Sequence, residues 1–371
     1  MKIITQISRV LVGVLFIISG FIKANDTLGF SYKLLEYFEI FKMPFFDPYA
    51  VPFSMFICIF EIVSGIALLL GIYNRLNAWL LLLMIVFFTI LTGYSAITHK
   101  VTDCGCFGDA IKFTPMQSFM KDIVLMVLII IIFLNTKLIT PLFNIVISNI
   151  VLSVAFLVST AFTIYTYMFL PVIDFLPYKI GNDIKALSMI PEGESKGEYE
   201  FVFIYEKEGK KYEFNANNLP ADLDSYKFID RTQKTIKEPF KPLIHDFKVA
   251  DEYGIDFTDS LFSSNNYKLI LVQTKINETR PGTEAQIETL AKECLENNLE
   301  FWALTASNLT EANTYKKTHN LNFTYYNMDV TPLKSMARSN PALILLKKTT
   351  VIKKWSAYNL PGYKTVLKYM K

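Results

Sequence analysis

The chain contains little cysteine and little histidine for its length. Its 371 residues include four cysteines and three histidines. Cys58 lies inside an apolar run and Cys294 in a predicted soluble helix, so only Cys104 and Cys106 form a plausible pair. A fold held together by several disulfides is therefore excluded. The predicted membrane segments contain no histidine, which argues against a haem held there by two histidines.

The chain also lacks an excess of charge of either sign. The formal net charge is +3, from 37 basic and 34 acidic residues that are mixed along the polar half without a basic stripe. This pattern gives no support to nucleic-acid binding.

Long apolar runs are abundant, and they are confined to the first half of the chain. Five stretches approach the roughly 20 apolar residues that a membrane helix needs: 3–22, 51–73, 76–97, 118–136 and 142–170. The sequence therefore predicts a transmembrane helical bundle over 1–173, a connecting region with a β-hairpin over 174–241 and a soluble α/β domain over 242–371. Lipid is the first expected partner.

The orientation of the bundle follows from loop length more than from charge. The count of lysines and arginines opposes the positive-inside rule, but the connection at Asn74 and Arg75 is very short, which favours a cytoplasmic N terminus. Five spans then place the loop around residue 105 and the soluble domain on the same outer side, where disulfides persist. We expect an inner-membrane protein of a bacterium with a periplasmic C-terminal domain.

The loop between the third and fourth predicted spans carries the most informative motif. Residues 104–109 are Cys-Gly-Cys-Phe-Gly-Asp. Two thiols one residue apart can close a small strained disulfide ring that exchanges easily, and Gly105 and Gly108 permit the backbone angles such a ring needs. Two alternatives remain. The thiols could stay unpaired in a tight turn, or form half of a metal site with His99, Asp103 and Asp109.

An acidic residue inside the second predicted span is the other candidate. Glu61 lies well below the ends of the span, where an ionisable group is costly and suggests function. The alternative is a hydrogen-bonded glutamate that locks helices together. Cys58 lies three residues away, on nearly the same face, and is interpreted as a small hydrophobic residue. Gly13, Gly20, Gly65 and Gly71 are expected to let helices pack closely.

The soluble half has an informative order of predicted elements. From residue 268 the pattern predicts strand, helix, strand, helix, strand, a short helix, Pro341, a β-hairpin and a terminal helix. This order resembles the thioredoxin fold, in which a cis proline before the penultimate strand faces the active cysteines. The family's Cys-x-x-Cys should follow the first strand, but residues 275–280 contain no thiol. Cys294 falls late in the next helix, where a buried structural role is expected.

The membrane half resembles the DoxX and MauE group of membrane proteins. The resemblance rests on Arg9 to Lys23, on Glu61 with Gly65 and on the Cys-Gly-Cys-Phe-Gly loop. It implies a redox-associated helical bundle, with a quinone as a candidate cofactor and a role in maturing envelope proteins. A bundle of this kind fused to a thioredoxin-like domain is associated with envelope proteins of Bacteroidetes-type bacteria.

Three functions follow as hypotheses. The first is a thiol-disulfide relay, an oxidoreductase with Cys104, Cys106 and Glu61 as site residues and an envelope redox or client protein as partner. The second is a non-enzymatic scaffold whose thioredoxin-like domain binds a client. The third is a transporter, supported only by Glu61 and opposed by the lack of further charges inside the predicted spans.

Overall fold

The computed structural model describes residues 1–98, 101, 105, 107–111, 113–195, 197–216, 218–220 and 222–370. Cys104 and Cys106, the thiols of the expected site, lie outside the described residues, as do His99 and Asp103. Within the described part, helices occupy the first half and two β-sheets the second.

Six helices form the N-terminal bundle. They are α1 (Lys2–Asn25), α2 (Thr27–Ile40), α3 (Ala50–Leu70), α4 (Asn74–Thr98), α5 (Pro115–Leu134) and α6 (Ile145–Phe169), with a 3₁₀ helix at Pro44–Tyr49 before α3. In the described residues, five of these helices are long and apolar enough to cross a membrane, and only α2 is not. The five expected spans are therefore confirmed.

Glycines bring α1 and α3 into close contact. A Cβ atom added at Gly65 would lie 2.7 Å from the carbonyl oxygen of Gly13, and one added at Gly20 would lie 3.0 Å from that of Cys58. Real Cβ atoms are hardly ever found this close to backbone oxygens, so larger residues would push the helices apart. The packing role expected for Gly13, Gly20 and Gly65 is confirmed, whereas Gly71, with φ +72°, ends α3 and does not lie between two helices.

The outer surface of the bundle is apolar. On α6, Phe156 and Leu157 are half exposed or more, and only 11% of the most apolar window of this helix is buried. Such a surface is stable in contact with lipid tails rather than water.

A small antiparallel sheet follows the bundle. After α7 (Ile184–Ser188) come β1 (Glu198–Lys207), β2 (Lys210–Asn215) and β3 (Lys227–Lys237), in the order β2-β1-β3. The expected hairpin is β1 with β2. The sequence did not predict β3, because every residue of that strand is exposed and the strand therefore has no alternation of apolar and polar residues.

The last part of the chain is built around a five-stranded mixed sheet. Its elements are α8 (Thr258–Ser263), β4 (Tyr267–Gln273), α9 (Glu284–Glu296), β5 (Glu300–Thr305), α10 (Leu309–Thr318), β6 (Tyr325–Asn327), α11 (Val330–Met336), β7 (Ala342–Lys347), β8 (Thr350–Ser356) and α12 (Tyr363–Leu367). The strand order is β6-β5-β4-β7-β8, with β4, β5 and β6 parallel and the other pairings antiparallel. Every element expected from residue 268 onward is present, and the Asn340-Pro341 peptide bond is cis.

The mixed-sheet region rests on the same end of the bundle as the loop around residue 105. At that end the side chain of Asn25 exchanges two hydrogen bonds, of 2.8 and 2.9 Å, with the backbone of Ile173. Lys354 of β8 forms an ion pair of 2.8 Å with Asp174. Arg338 also donates to Asp109 of the loop at 2.8 Å, so the loop and the C-terminal region lie at the same end of the bundle. The side of the membrane that this end faces stays a prediction.

Candidate functional site

In the described part of the loop, a hydrogen bond between Gly105 and Gly108 marks a tight turn that precedes α5. The amide of Gly108 donates to the carbonyl oxygen of Gly105 at 3.0 Å. Gly105 has φ +66° and Gly108 φ +51°, left-handed values that favour glycine. Both glycines thus adopt unusual backbone angles, as expected, and the disulfide ring itself stays a prediction.

Phe107 anchors this turn in the bundle. Its side chain is buried and packs against Ile22 of α1, and its ring centre lies 5.7 Å from the ring centre of Phe113. Lys121 of α5 places its ammonium group 5.2 Å from the centre of the Phe107 ring, an attractive cation–π geometry. The residue directly after Cys106 is thus fixed against two membrane helices.

Below the turn, a lysine and a glutamate pair inside the bundle. Gly20 lets α1 approach α3, and Lys23, one helical turn later, reaches the carboxylate of Glu61. Lys23 and Glu61 are only 2% and 3% exposed. The Lys23 ammonium also lies 5.2 Å from the ring centres of Phe30 and Phe88.

A second charged pair lies on α5. Asp122 is buried, accepts a hydrogen bond of 2.9 Å from the hydroxyl of Thr92 on α4, and pairs with Lys121 at 2.9 Å. The argument against a transporter assumed no further charge inside the spans, but Asp122, near the start of the fourth predicted span, is a second buried acidic residue. Lys23 lies just beyond the first predicted span, 3–22, and continues the buried face formed by Gly13, Phe16 and Gly20 at helical spacing.

Both pairs line one cavity, named here the charged cavity. It has a volume of about 40 Å³, which is room for two or three water molecules. Its charged lining is Lys23, Glu61, Lys121 and Asp122, and Phe107 closes its side toward the loop. Among the described residues Glu61 Oε2 is one of the few buried side-chain oxygens without a hydrogen-bond partner. Cys58, close to Lys23 and Glu61, is fully buried, as expected of a small hydrophobic residue.

The candidate cofactor does not fit this cavity. Ligand pockets have volumes of about 300–1,000 Å³, far above that of the charged cavity as the described residues form it. The described ranges contain no group of three or more His, Cys, Asp or Glu residues that could hold a metal ion.

An ion cluster joins the mixed-sheet region to the loop. Arg338, which follows α11, donates to both carboxylate oxygens of Asp26 at 2.8 and 3.0 Å and to Asp109 at 2.8 Å. Asp26 is also the N-cap of α2, accepting from the amide of Gly29. We call Arg338, Asp26 and Asp109 the Arg338 cluster. Sequence reasoning missed it, because its members are far apart along the chain.

The end of β4, where a redox motif would sit, is occupied by a charged turn. Lys275 and Glu278 form an ion pair of 2.7 Å, and Asn340 donates to the carbonyl oxygen of Lys275 at 2.7 Å. Cys294 lies in the core beneath α9, fully buried, and burial raises the pKa of its thiol to about 12. The buried structural role expected for Cys294 is confirmed.

Comparisons with known proteins cover parts of the chain. The family described as methylamine utilisation protein MauE matches residues 1–135. A domain of unknown function (DUF8463) matches residues 199–238, which contain β2, β3 and all but the first residue of β1. Protein TlpB of Flavobacterium psychrophilum is 28% identical over 130 residues, 34% of this chain and 35% of that relative. The match thus spans about a third of the relative's length. No solved structure matches.

The helices and the family match together define the class of this protein. It is a multi-pass membrane protein with a mixed α/β C-terminal region. Over its first 135 residues it is similar to the MauE family.

Proposed function

We propose that this protein is a thiol-disulfide oxidoreductase of the bacterial inner membrane, with Cys104 and Cys106 as its redox pair. The observation that carries the proposal is the turn at Gly105 and Gly108, where both glycines have left-handed backbone angles. A strained Cys-x-Cys disulfide needs such a backbone. Phe107, within the same turn, lines the charged cavity. The similarity to the MauE family, and the redox role that this resemblance implies, also support the proposal.

The exchange step conserves atoms and electrons. A thiolate of a partner protein attacks one sulfur of the Cys104–Cys106 disulfide, whose S–S bond breaks as a mixed disulfide forms. The partner's second thiol displaces the loop cysteine, so that two electrons and two protons pass to the pair. A second dithiol/disulfide protein of the envelope reverses the reaction and completes a relay. The charged cavity is not assigned as a quinone site, and the exchange is written between protein thiols alone.

The C-terminal region has the role of a docking domain in this proposal. Its strand order and Pro341 before β7 favour a thioredoxin-like domain, and its position above the loop favours a periplasmic location together with the thiols. Since residues 275–280 contain no thiol and Cys294 is buried, this domain binds the partner rather than oxidising it.

Trapping of mixed disulfides tests the proposal. Cells expressing Cys104→Ser, Cys106→Ser or the double variant are quenched with acid, alkylated and analysed without reductant. In one single variant the remaining loop thiolate should attack the disulfide of the second envelope protein and accumulate a reductant-sensitive adduct, because the other loop thiol, which would resolve that mixed disulfide, is missing. The double variant should give none. Cys294→Ser is the matched control and should behave as wild type. Identical patterns in wild type and all loop variants would contradict the relay.

A non-enzymatic scaffold is the second candidate, favoured by the missing thiol after β4. In that case the double variant Cys104→Ser/Cys106→Ser, which keeps the whole chain, should still support maturation of its client in cells. A relay should lose that maturation.

A further inference from the structure

The strand β3 has one free edge. It extends over 11 residues, Lys227–Lys237, all of them exposed, and among the described residues it pairs only with β1. A long exposed edge strand presents a row of unpaired amide and carbonyl groups on which another strand can form a ladder. Phe228 and Ile236 of this strand are 53% and 62% exposed. A second strand at this edge would therefore satisfy backbone groups and cover apolar surface together.

Two contacts show which backbone groups of β3 point away from β1. The amide of Arg231 donates to the carboxylate of Asp230 at 2.7 Å. The hydroxyl of the next residue, Thr232, lies 3.5 Å from the carbonyl oxygen of Val202, its partner on β1. Successive residues of an antiparallel strand bond alternately to one neighbouring strand and to the other. The register with β1 is regular over 230–235, so Arg231 and every second residue after it offer their amide and carbonyl groups to the free edge.

The charges on β3 select one register for a second copy of the same strand. In an antiparallel pair with a two-fold axis at Thr232, Asp230 of each copy faces Lys234 of the other, and Arg231 faces Gln233. Opposite charges and paired threonines are favourable cross-strand neighbours, whereas like charges directly opposite each other are unfavourable. An axis at Arg231 would place two arginines face to face, and an axis at Gln233 leaves no opposite-charge pair on the strand. The axis at Thr232 also brings the outward backbone groups of Arg231 and Gln233 together.

We propose that β3 pairs antiparallel with β3 of a second copy of this chain and joins the two small sheets into one sheet of six strands. Charged side chains ordinarily protect an edge strand from pairing. In the register centred on Thr232 the carboxylates of Asp230 and the ammonium groups of Lys234 neutralise each other across the two copies. A strand without this pattern would leave these charges facing uncharged or like-charged residues, which gives the edge its specificity. The same surface is used on both chains, so the contact closes after two copies.

Disulfide trapping tests the pairing in native membranes, where all copies keep the same orientation. Thr232→Cys is combined with Cys104→Ser and Cys106→Ser, which leaves only the fully buried Cys58 and Cys294 as other thiols. Opposed residues of an antiparallel pair have Cα atoms about 4.5–5.5 Å apart, a distance that a disulfide can bridge. A mild oxidant should therefore yield a reductant-sensitive species of twice the 42.6 kDa of one chain.

The matched control carries the new cysteine on the other edge of the small sheet. Lys211→Cys, exposed on β2, should stay monomeric in the same background. Failure of Thr232→Cys to crosslink would overturn the proposal. An adduct of another mass would overturn it as well, because a different protein would then occupy the edge. A stronger crosslink at Gln233→Cys than at Thr232→Cys would refute the register.

A charge exchange separates pairing from a folding defect. Asp230→Lys and Lys234→Asp each turn two attractive cross-strand pairs into repulsive ones, so each should weaken the dimer of the Thr232→Cys protein about tenfold. The double variant Asp230→Lys/Lys234→Asp faces opposite charges again and should recover the crosslink. A folding defect would make the double variant the worst of the three. Single variants that crosslink as well as their parent, or a double variant without recovery, would contradict the proposal.

Discussion

Removing the guanidinium of Arg338 should release the mixed-sheet region from the bundle. Arg338, Asp26 and Asp109 have side chains 6%, 11% and 27% exposed. Truncating one partner of a buried charge pair costs roughly 2–5 kcal/mol, much of it from the charge left unpaired. Because Asp109 is partly in water and contributes less, we expect about 3 kcal/mol for Arg338→Ala. That corresponds to about a 150-fold shift in the docking equilibrium.

Hydrogen exchange followed by mass spectrometry measures this shift on the full-length protein. Peptides covering α2 and α11 contain the amides next to the cluster, among them that of Gly29, which donates to Asp26 at 2.8 Å. Their exchange should accelerate strongly in Arg338→Ala. It should accelerate less in Arg338→Lys, which keeps the positive charge but loses the planar guanidinium that donates to both Asp26 and Asp109. Arg231→Ala, on the exposed strand β3, is the control. Unchanged exchange at α2 and α11 in Arg338→Ala would refute the reasoning.

Three further predictions concern other parts of the chain. Gly20→Ala places a Cβ atom 2.7 Å from Ile62 Cγ1 and 3.0 Å from the Cys58 carbonyl oxygen, so it should destabilise the bundle by about 1–3 kcal/mol in thermal unfolding. Gly362→Ala is the control and should not destabilise the protein, because a Cβ atom added there has no neighbour within 4 Å. Equal melting temperatures for the two variants would contradict the close packing of α1 against α3. Lys23→Met should lower the melting temperature because Glu61 is left buried and unpaired, and adding Glu61→Gln should recover part of the loss; no recovery would count against a buried ion pair. Cys294 should resist alkylation in the native protein, and rapid alkylation there would show that the thiol is accessible. The free energy of unfolding should fall as the pH rises from 9.0, the ordinary pKa of a thiol, toward about 12, because in that range the thiol ionises only in the unfolded chain.

Local patterns predicted the elements of this fold, because burial imposes a period on the sequence. The run at β4 is buried on both faces and the parallel strands alternate with helices, so the order of the elements from β4 onward followed from the sequence pattern, with boundaries that differ by up to three residues. The exposed β3 has no such period, and it was missed for that reason. The compartment of the C-terminal region stays a prediction.

The candidate site was predictable only in part. Gly105 and Gly108 indicated the turn because few other residues adopt its angles. Lys23 with Glu61, and Arg338 with Asp109, are pairs formed between distant segments, and a single sequence contains no local signal for such contacts. What could have been noticed is Lys23 at helical spacing after Gly13, Phe16 and Gly20.

The oxidation state of Cys104 and Cys106 in living cells tests the central claim most directly. Intact cells are quenched with acid and alkylated with a bulky maleimide, and wild type is compared with Cys104→Ser and Cys106→Ser. A pair that is reversibly oxidised and reached from outside is the result that the relay predicts. A pair that stays reduced under all conditions would contradict it.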